Sequence, residues 1–167
     1  LSGVADASLS ARRGEVVGVA GLVGSGKSEA LRAAFGLDRV TAGAIRFKGQ
    51  DVTRSAKPAR MLAAGMFYLP PDRKEEGLLL THSSHANLLI PAIGHPSQRR
   101  PFGWIAHGHA RARSQQTAQR VDLATMNIRR IVGQLSGGNQ QKVLFAKGLV
   151  HEVDLFVFDE PTVGVDV

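Results

Sequence analysis

Read by its apolar and polar positions, the chain alternates between short buried-strand patterns and helical ones. Residues 16–20 form a brief apolar run bounded by glycines and predict a buried strand. The run leads into a glycine-rich segment, 21–28, then a helical stretch from Glu29 to Phe35 closed by Gly36. Residues 44–47 alternate apolar and polar, as an antiparallel strand does. Residues 58–64 predict a short helix with proline in its first turn, and 66–69 predict a second buried strand stopped by Pro70-Pro71. From 73 to 135 the pattern is helical and arginine-rich, broken by Pro91, Pro96 and Pro101. A helical period returns over 139–150, with Val143, Leu144, Phe145, Ala146 and Leu149 apolar. Residues 153–158 then predict a strand that ends at Asp159-Glu160. Strands alternating with helices predict a mainly parallel α/β sheet, with a small antiparallel element and a helical insertion. No internal repeat or low-complexity tract interrupts this order.

Composition narrows the class. The 167 residues are 43% hydrophobic and 21% charged, close to globular averages, which excludes a disordered or collagenous chain. A chain of this size can bury roughly two-thirds of its unfolded surface. There is no cysteine, so disulfide scaffolds, zinc-thiolate sites and thiol nucleophiles are excluded for these residues. Leu78-Leu79-Leu80 and Leu88-Leu89-Ile90 fall far short of the roughly 20 apolar residues that span a bilayer. The first residues lack the basic-then-apolar layout of a secretory signal.

The net charge of +7 is concentrated. Seven arginines (Arg99, Arg100, Arg111, Arg113, Arg120, Arg129 and Arg130) stand against one acid, Asp122, and carry +6 of it. Such a block can serve nucleic acid, an anionic membrane surface or an acidic partner, or can simply be a solvated helical face. Phe102 and Trp104 are too few aromatics for a base-stacking platform. His107-x-His109 has no third ligand nearby, so it reads as a solvated pair rather than a metal site.

Two motifs carry chemistry. Gly21-Leu22-Val23-Gly24-Ser25-Gly26-Lys27-Ser28 fits the phosphate-loop pattern Gly-x4-Gly-Lys-Ser. Glycines there let backbone N–H groups turn around a polyphosphate without Cβ clashes. The helix that begins beside Ser28 and Glu29 aims about half a positive charge at the same anion. Lys27 can reach the β- and γ-phosphates, and the Ser28 hydroxyl can hold Mg2+. In Leu155-Phe156-Val157-Phe158-Asp159-Glu160, a buried strand delivers two carboxylates at its C-terminal end, where α/β sheets bind ligands. Asp159 suits Mg2+, and Glu160 suits the orientation or deprotonation of an attacking water.

With these in place, Leu135-Ser136-Gly137-Gly138-Asn139-Gln140-Gln141-Lys142 resembles the signature motif of ABC-type ATPases. The 23-residue interval from Ser136 to Asp159 agrees with that family, and 159–166 looks like its Walker B acid running into the D-loop, with Gly164 and Asp166. Residues 71–78, 139–143 and 164–167 further resemble the C-terminal nucleotide-binding half of tandem ATPases that drive ribose- and galactose-type importers. The resemblance implies a P-loop ATPase core over 1–72 and 136–167, incomplete at its C-terminus, with a helical subdomain inserted at 73–135. It implies ATP and Mg2+ at 21–29 with Asp159, and Glu160 as the catalytic carboxylate. It also implies a signature turn, Ser136 to Gln140, that contacts ATP held by a second nucleotide-binding domain packed head-to-tail. Membrane permease subunits would be the other partners, reached through the lobe that 76–93 enters. No nucleic acid is expected, and the place of work would be the cytoplasmic face of the inner membrane, peripherally.

The sequence departs from the family pattern in three places. Pro71 stands where a glutamine or an acid usually precedes Asp-Arg-Lys, and offers no side-chain hydrogen bond. No aromatic precedes Phe35 to stack on adenine. None of His82, His85, His95, His107, His109 or His151 occupies the position of the family's switch histidine, so a fragment of a longer polypeptide is expected. Lys27 is retained where many second halves carry arginine, which favours phosphate binding. Three readings follow: a transport ATPase, weak or inactive as an isolated fragment; a module that dimerises on ATP with little turnover; and an ABC-type ATPase acting on nucleic acid or ribosomes.

Overall fold

The computed structural model describes residues 4, 7–93, 107–150 and 153–161. The chain forms two compact units, Leu1–Met61 and Leu62–Val167.

In the first unit, α1 (Lys27–Phe35) starts at Gly26 and stops at Gly36, both in the left-handed region. Gly36 is required twice. Its φ is 87°, and a Cβ would lie 2.6 Å from the backbone of Ala56 and Lys57. The helix end closes with Leu37 N–H donating to Arg32 C=O, and the Arg32 guanidinium pairs with Asp38 at 2.9 Å. β1 (Arg46–Phe47) and β2 (Gln50–Asp51) make an antiparallel hairpin. Its two-residue turn, Lys48-Gly49, has φ of 51° and 77°, the paired positive values that match hairpin twist. The alternation at 44–47 is thus realised as a hairpin arm.

Residues 16–20 do not form the expected buried strand. They join no ladder, and Val16 is 97% exposed. A continuous apolar run becomes a central strand only where neighbours on both sides take its N–H and C=O groups. The only ladder described in this unit is the four-residue hairpin, which offers no such bed.

α2 (Pro58–Ala64) crosses the boundary in sequence and starts at its proline, as expected. In the second unit, β3 (Met66–Leu69) is buried throughout and pairs in parallel with β4 (Leu155–Phe158), Met66 facing Leu155 and Leu69 facing Phe158. The ladder is prolonged at both ends, by Leu155 N–H to Gly65 C=O and by Asp159 N–H to Leu69 C=O. Between the strands run a single π-helical turn (Arg73–Gly77), α3 (Ser84–Ile93), α4 (His107–Arg120), two 3-10 turns (Thr125–Ile128 and Val132–Gln134) and α5 (Gly137–Leu149). Pro91 does not break α3; it sits in the last turn. Pro96 and Pro101 lie outside the described residues.

One core joins the strands to the helices. Phe67 and Leu69 of β3 pack in a single cluster with Leu78, Ala118, Leu123, Ile128, Val132, Leu135, Val143 and Leu144. Each of these side chains other than that of Ala118 contributes about 1.5–3 kcal/mol on burial. α5 lies so close to the sheet that a Cβ on Gly148 would stand 2.6 Å from the Phe156 ring and 2.8 Å from that of Phe67. The fully buried Asn87 fixes the entry to α3, accepting from Leu79 N–H at 2.8 Å and donating to the carbonyls of Leu79 and Ser83.

Candidate functional site

The glycine-rich loop is built as a turn that opens onto α1. Ser25 N–H donates to Leu22 C=O at 3.1 Å, Gly24 has φ 80° and Gly26 φ 89°. A Cβ at Gly21 would stand 2.5 Å from Ser25 Oγ, so the serine side chain would have to turn to admit one. Leu22 and Val23 stand 85% and 96% exposed, while Ser25 is buried. No side chain caps the N-terminus of α1. Lys27, Ser28 and Glu29 make up the first turn. This is the geometry of an anion cradle.

In the second unit the end of β4 carries the acidic pair. The strand register puts Tyr68 opposite Val157, and a period of two puts Asp159 on the face that Tyr68 shares. The Tyr68 hydroxyl donates to Asp159 Oδ2 at 2.8 Å, and Asp159 is 2% exposed. Glu160, next in the chain, takes a left-handed backbone with φ 48°. A non-glycine residue in that region stores strain, and such residues concentrate at functional sites. The turn aims the two neighbouring carboxylates differently: Asp159 inward and Glu160 partly into solvent.

The third element is the turn that starts α5. Ser136 is its N-cap in extended backbone, yet its side chain caps no N–H of the helix; instead Ser136 Oγ accepts from Asn139 Nδ2 at 3.0 Å. Ser136, Gly137 and Gly138 are exposed. The Arg73 guanidinium reaches this turn, with Nη2 3.2 Å from the place of a Gly137 Cβ. Gln140, the last residue of the expected trans contact, is held inside the fold. It is buried, and its amide donates to the carbonyls of Val132 and Leu135 at 3.2 Å, fastening the preceding 3-10 turn to α5. Helical spacing explains this placement, since Gln140 lies one turn on from Ser136 and faces the core with Val143 and Leu144. Gln141 Nε2 donates to Pro161 C=O at 3.3 Å, linking this helix to the segment after Glu160.

The residue pattern of ABC transporters matches residues 4–163. The chain belongs to the ABC transporter family. Among its relatives, "Ribose import ATP-binding protein RbsA 2" of Streptomyces avermitilis is 40% identical over 97% of this chain. A "Putative ribose/galactose/methyl galactoside import ATP-binding protein" of Albidiferax ferrireducens is 38% identical over 98%. The chain spans only 31% and 32% of the lengths of these relatives. A nucleotide-free ATP-binding cassette from an ABC transporter superposes with a TM-score of 0.69 at 23% identity, covering 85% of this chain and 56% of the other. A dimeric, post-hydrolysis cassette bound to ADP and Pi gives 0.69 at 22% identity, covering 87% and 60%. The α/β class and the P-loop NTPase fold expected from the sequence are those of these cassettes.

In the sequence, Tyr68 reads as a strand residue only. The signal was available: a lone hydroxyl in an apolar run, on a strand expected to lie in the same sheet as Asp159. Gly164 and Asp166 of the expected D-loop lie outside the described residues, as do Arg99, Arg100, Phe102, Trp104, His95 and His151. Of the basic block, Arg111 is exposed on α4, and Arg129 and Arg130 are exposed after the first 3-10 turn. The one acid of that stretch, Asp122, is paired with Lys142 at 3.0 Å.

Proposed function

We propose that the chain is an ATP-binding and -hydrolysing domain of a sugar importer, coupling ATP to transport through membrane permease subunits. The observation that carries this reading is the phosphate loop, with two left-handed glycines leading into α1 inside an ABC family sequence. The printed functions of the relatives, ribose and galactose import, supply the cargo class. Gly21 to Glu29 would hold the phosphates, with Lys27 on the β- and γ-phosphates.

The donor set suits ATP with Mg2+. Ser28 and Asp159 offer hard oxygen donors, and among the described residues no three His, Cys, Asp or Glu side chains gather about one point. Such a set fits a metal shared with phosphates rather than one caged by protein. When bound, Mg2+ would neutralise charge on the β- and γ-phosphates. Glu160 would hold the attacking water and take its proton. Catalysis would rest on positioning and electrostatics, with no covalent intermediate. Ser136, Gly137, Gly138 and Asn139 would serve ATP on a second nucleotide-binding domain packed head-to-tail, a reading supported by the dimeric cassette. Residues 1–72 and 136–167 would form the ATPase core, and 73–135 the lobe that meets the permease at the cytoplasmic face of the membrane. Among the described residues no helix is long and apolar enough to cross a membrane.

The test is nucleotide binding and phosphate release by the full chain. Lys27→Ala should weaken ATP binding by roughly tenfold or more, the loss of a charge-assisted contact of about 1.5–3 kcal/mol. Glu160→Gln should keep binding and lose phosphate release. Pro71 favours a second reading, a module that dimerises on ATP without turnover, because it offers no side chain to engage the phosphate end of the nucleotide. Phosphate release unchanged by Glu160→Gln would favour that reading.

A further inference from the structure

Asp159 is tied to β3 at two levels. Its N–H donates to Leu69 C=O at 3.0 Å, and its Oδ2 accepts from the Tyr68 hydroxyl at 2.8 Å. The backbone bond fixes where the residue leaves the strand, and the hydroxyl bond fixes the plane of its carboxylate. Both partners are buried, Tyr68 to 7% and Asp159 to 2% exposure, so solvent does not compete for the bond. The contact spans 91 residues of sequence, and the parallel register sets it. A hydroxyl placed at this depth in a strand of Met66, Phe67 and Leu69 serves no purpose in packing that phenylalanine could not serve.

We infer that Tyr68 is the positioning residue of the metal-nucleotide site: its hydroxyl orients the Asp159 carboxylate toward the divalent cation that accompanies the nucleotide. The inference rests on the reading of Asp159 given under Proposed function. Partners that orient a metal ligand in this way are commonly worth 10- to 100-fold in metal affinity. Tyr68 itself touches neither nucleotide nor cation; it acts through Asp159.

The experiment uses the full chain, with Mn2+ as the probe cation, followed by its paramagnetic resonance in the presence of ADP. Tyr68→Phe keeps the ring and removes only the donor. It should weaken Mn2+ binding in the nucleotide complex roughly tenfold, while ADP binding in excess chelator stays unchanged. Asp159→Asn is the reference, and adding Tyr68→Phe to it should cost nothing further. Tyr68 is the one tyrosine of these 167 residues, which gives a second readout that needs no substitution in the measured sample. After 3-fluorotyrosine labelling, its fluorine resonance, identified by its loss in Tyr68→Phe, should shift on adding Mg2+ with ADP but not ADP with chelator. Unchanged Mn2+ affinity in Tyr68→Phe, with Asp159→Asn still impaired, overturns the role of Tyr68 and leaves the reading of Asp159 standing. Should Asp159→Asn also bind Mn2+ normally, the reading of the acidic strand end fails first. If Tyr68→Phe does not fold, a fluorine resonance indifferent to Mg2+ overturns the proposal by itself.

Discussion

The Lys147 ammonium donates to the carbonyl oxygen of Gly77, joining the last turn of α5 to the end of the π-helical turn that follows β3. A single partly buried charge therefore connects the helix that begins with the signature turn to the loop that carries Pro71.

Burial holds the Lys147 ammonium below its ordinary pKa of 10.5. In the window between that lowered pKa and 10.5 the unfolded chain binds more protons than the folded one. Stability from this group is thus greatest above 10.5 and is lost as pH falls through the folded value, by at most about 1.4 kcal/mol per pH unit. Urea unfolding at a series of alkaline pH values should show this rise, and Lys147→Met should flatten it. An unaltered slope in the variant would assign the effect elsewhere.

Asp72 opens the same π-helical turn, its Oδ1 accepting from Lys74 N–H at 2.8 Å and from Glu75 N–H at 3.1 Å. These bonds hold its carboxyl below the ordinary 3.8. The cap is therefore complete above pH 3.8 and is lost as pH falls through the lower folded value. Hydrogen exchange at the Lys74 and Glu75 amides should quicken in Asp72→Ala at neutral pH. Equal protection in variant and parent would count against the cap.

The sequence made some of this legible and hid the rest. The limits of α2 and β3 follow from Pro58 and from Pro70-Pro71, because proline acts on its immediate neighbours. Gly36 announced the end of α1 for the same local reason. Residues 16–20 misled, since an apolar run records only that a strand could be buried, not that neighbours are present to bury it. The left-handed turns at Gly24 and Gly26 and the helix start at Ser136 follow from motif spacing, while the burial of Gln140 depends on which helical face meets the core. The Tyr68–Asp159 bond needed the β3–β4 register, which no local pattern reports.

Gln140→Leu should destabilise the second unit by about 1–3 kcal/mol, because the carbonyls of Val132 and Leu135 lose their shared donor inside the protein. Chemical denaturation measures it. A neutral result would mean that the 3-10 turn is held by its packing alone.

Gly148→Ala meets two aromatic rings. A Cβ 2.6 Å from Phe156 and 2.8 Å from Phe67 forces rings or helix to shift, and the expected cost is about 1–3 kcal/mol. Trimming the obstruction in Gly148→Ala/Phe156→Leu should recover part of the loss. If Gly148→Ala unfolds at the same denaturant concentration as the parent, the helix has more room than its placement implies.

That missing side chain at position 148 also removes slack. With bare backbone resting on the Phe67 and Phe156 rings, and Gly77 in turn resting on Leu144, helix α5 has no clearance to slide along the strands. Ser136 and the acidic strand end, which Gln141 ties to the same end of α5 through Pro161, therefore travel as parts of one stiff block. A push delivered at the signature turn is felt at Asp159 as displacement of the whole block, with little lost to bending on the way.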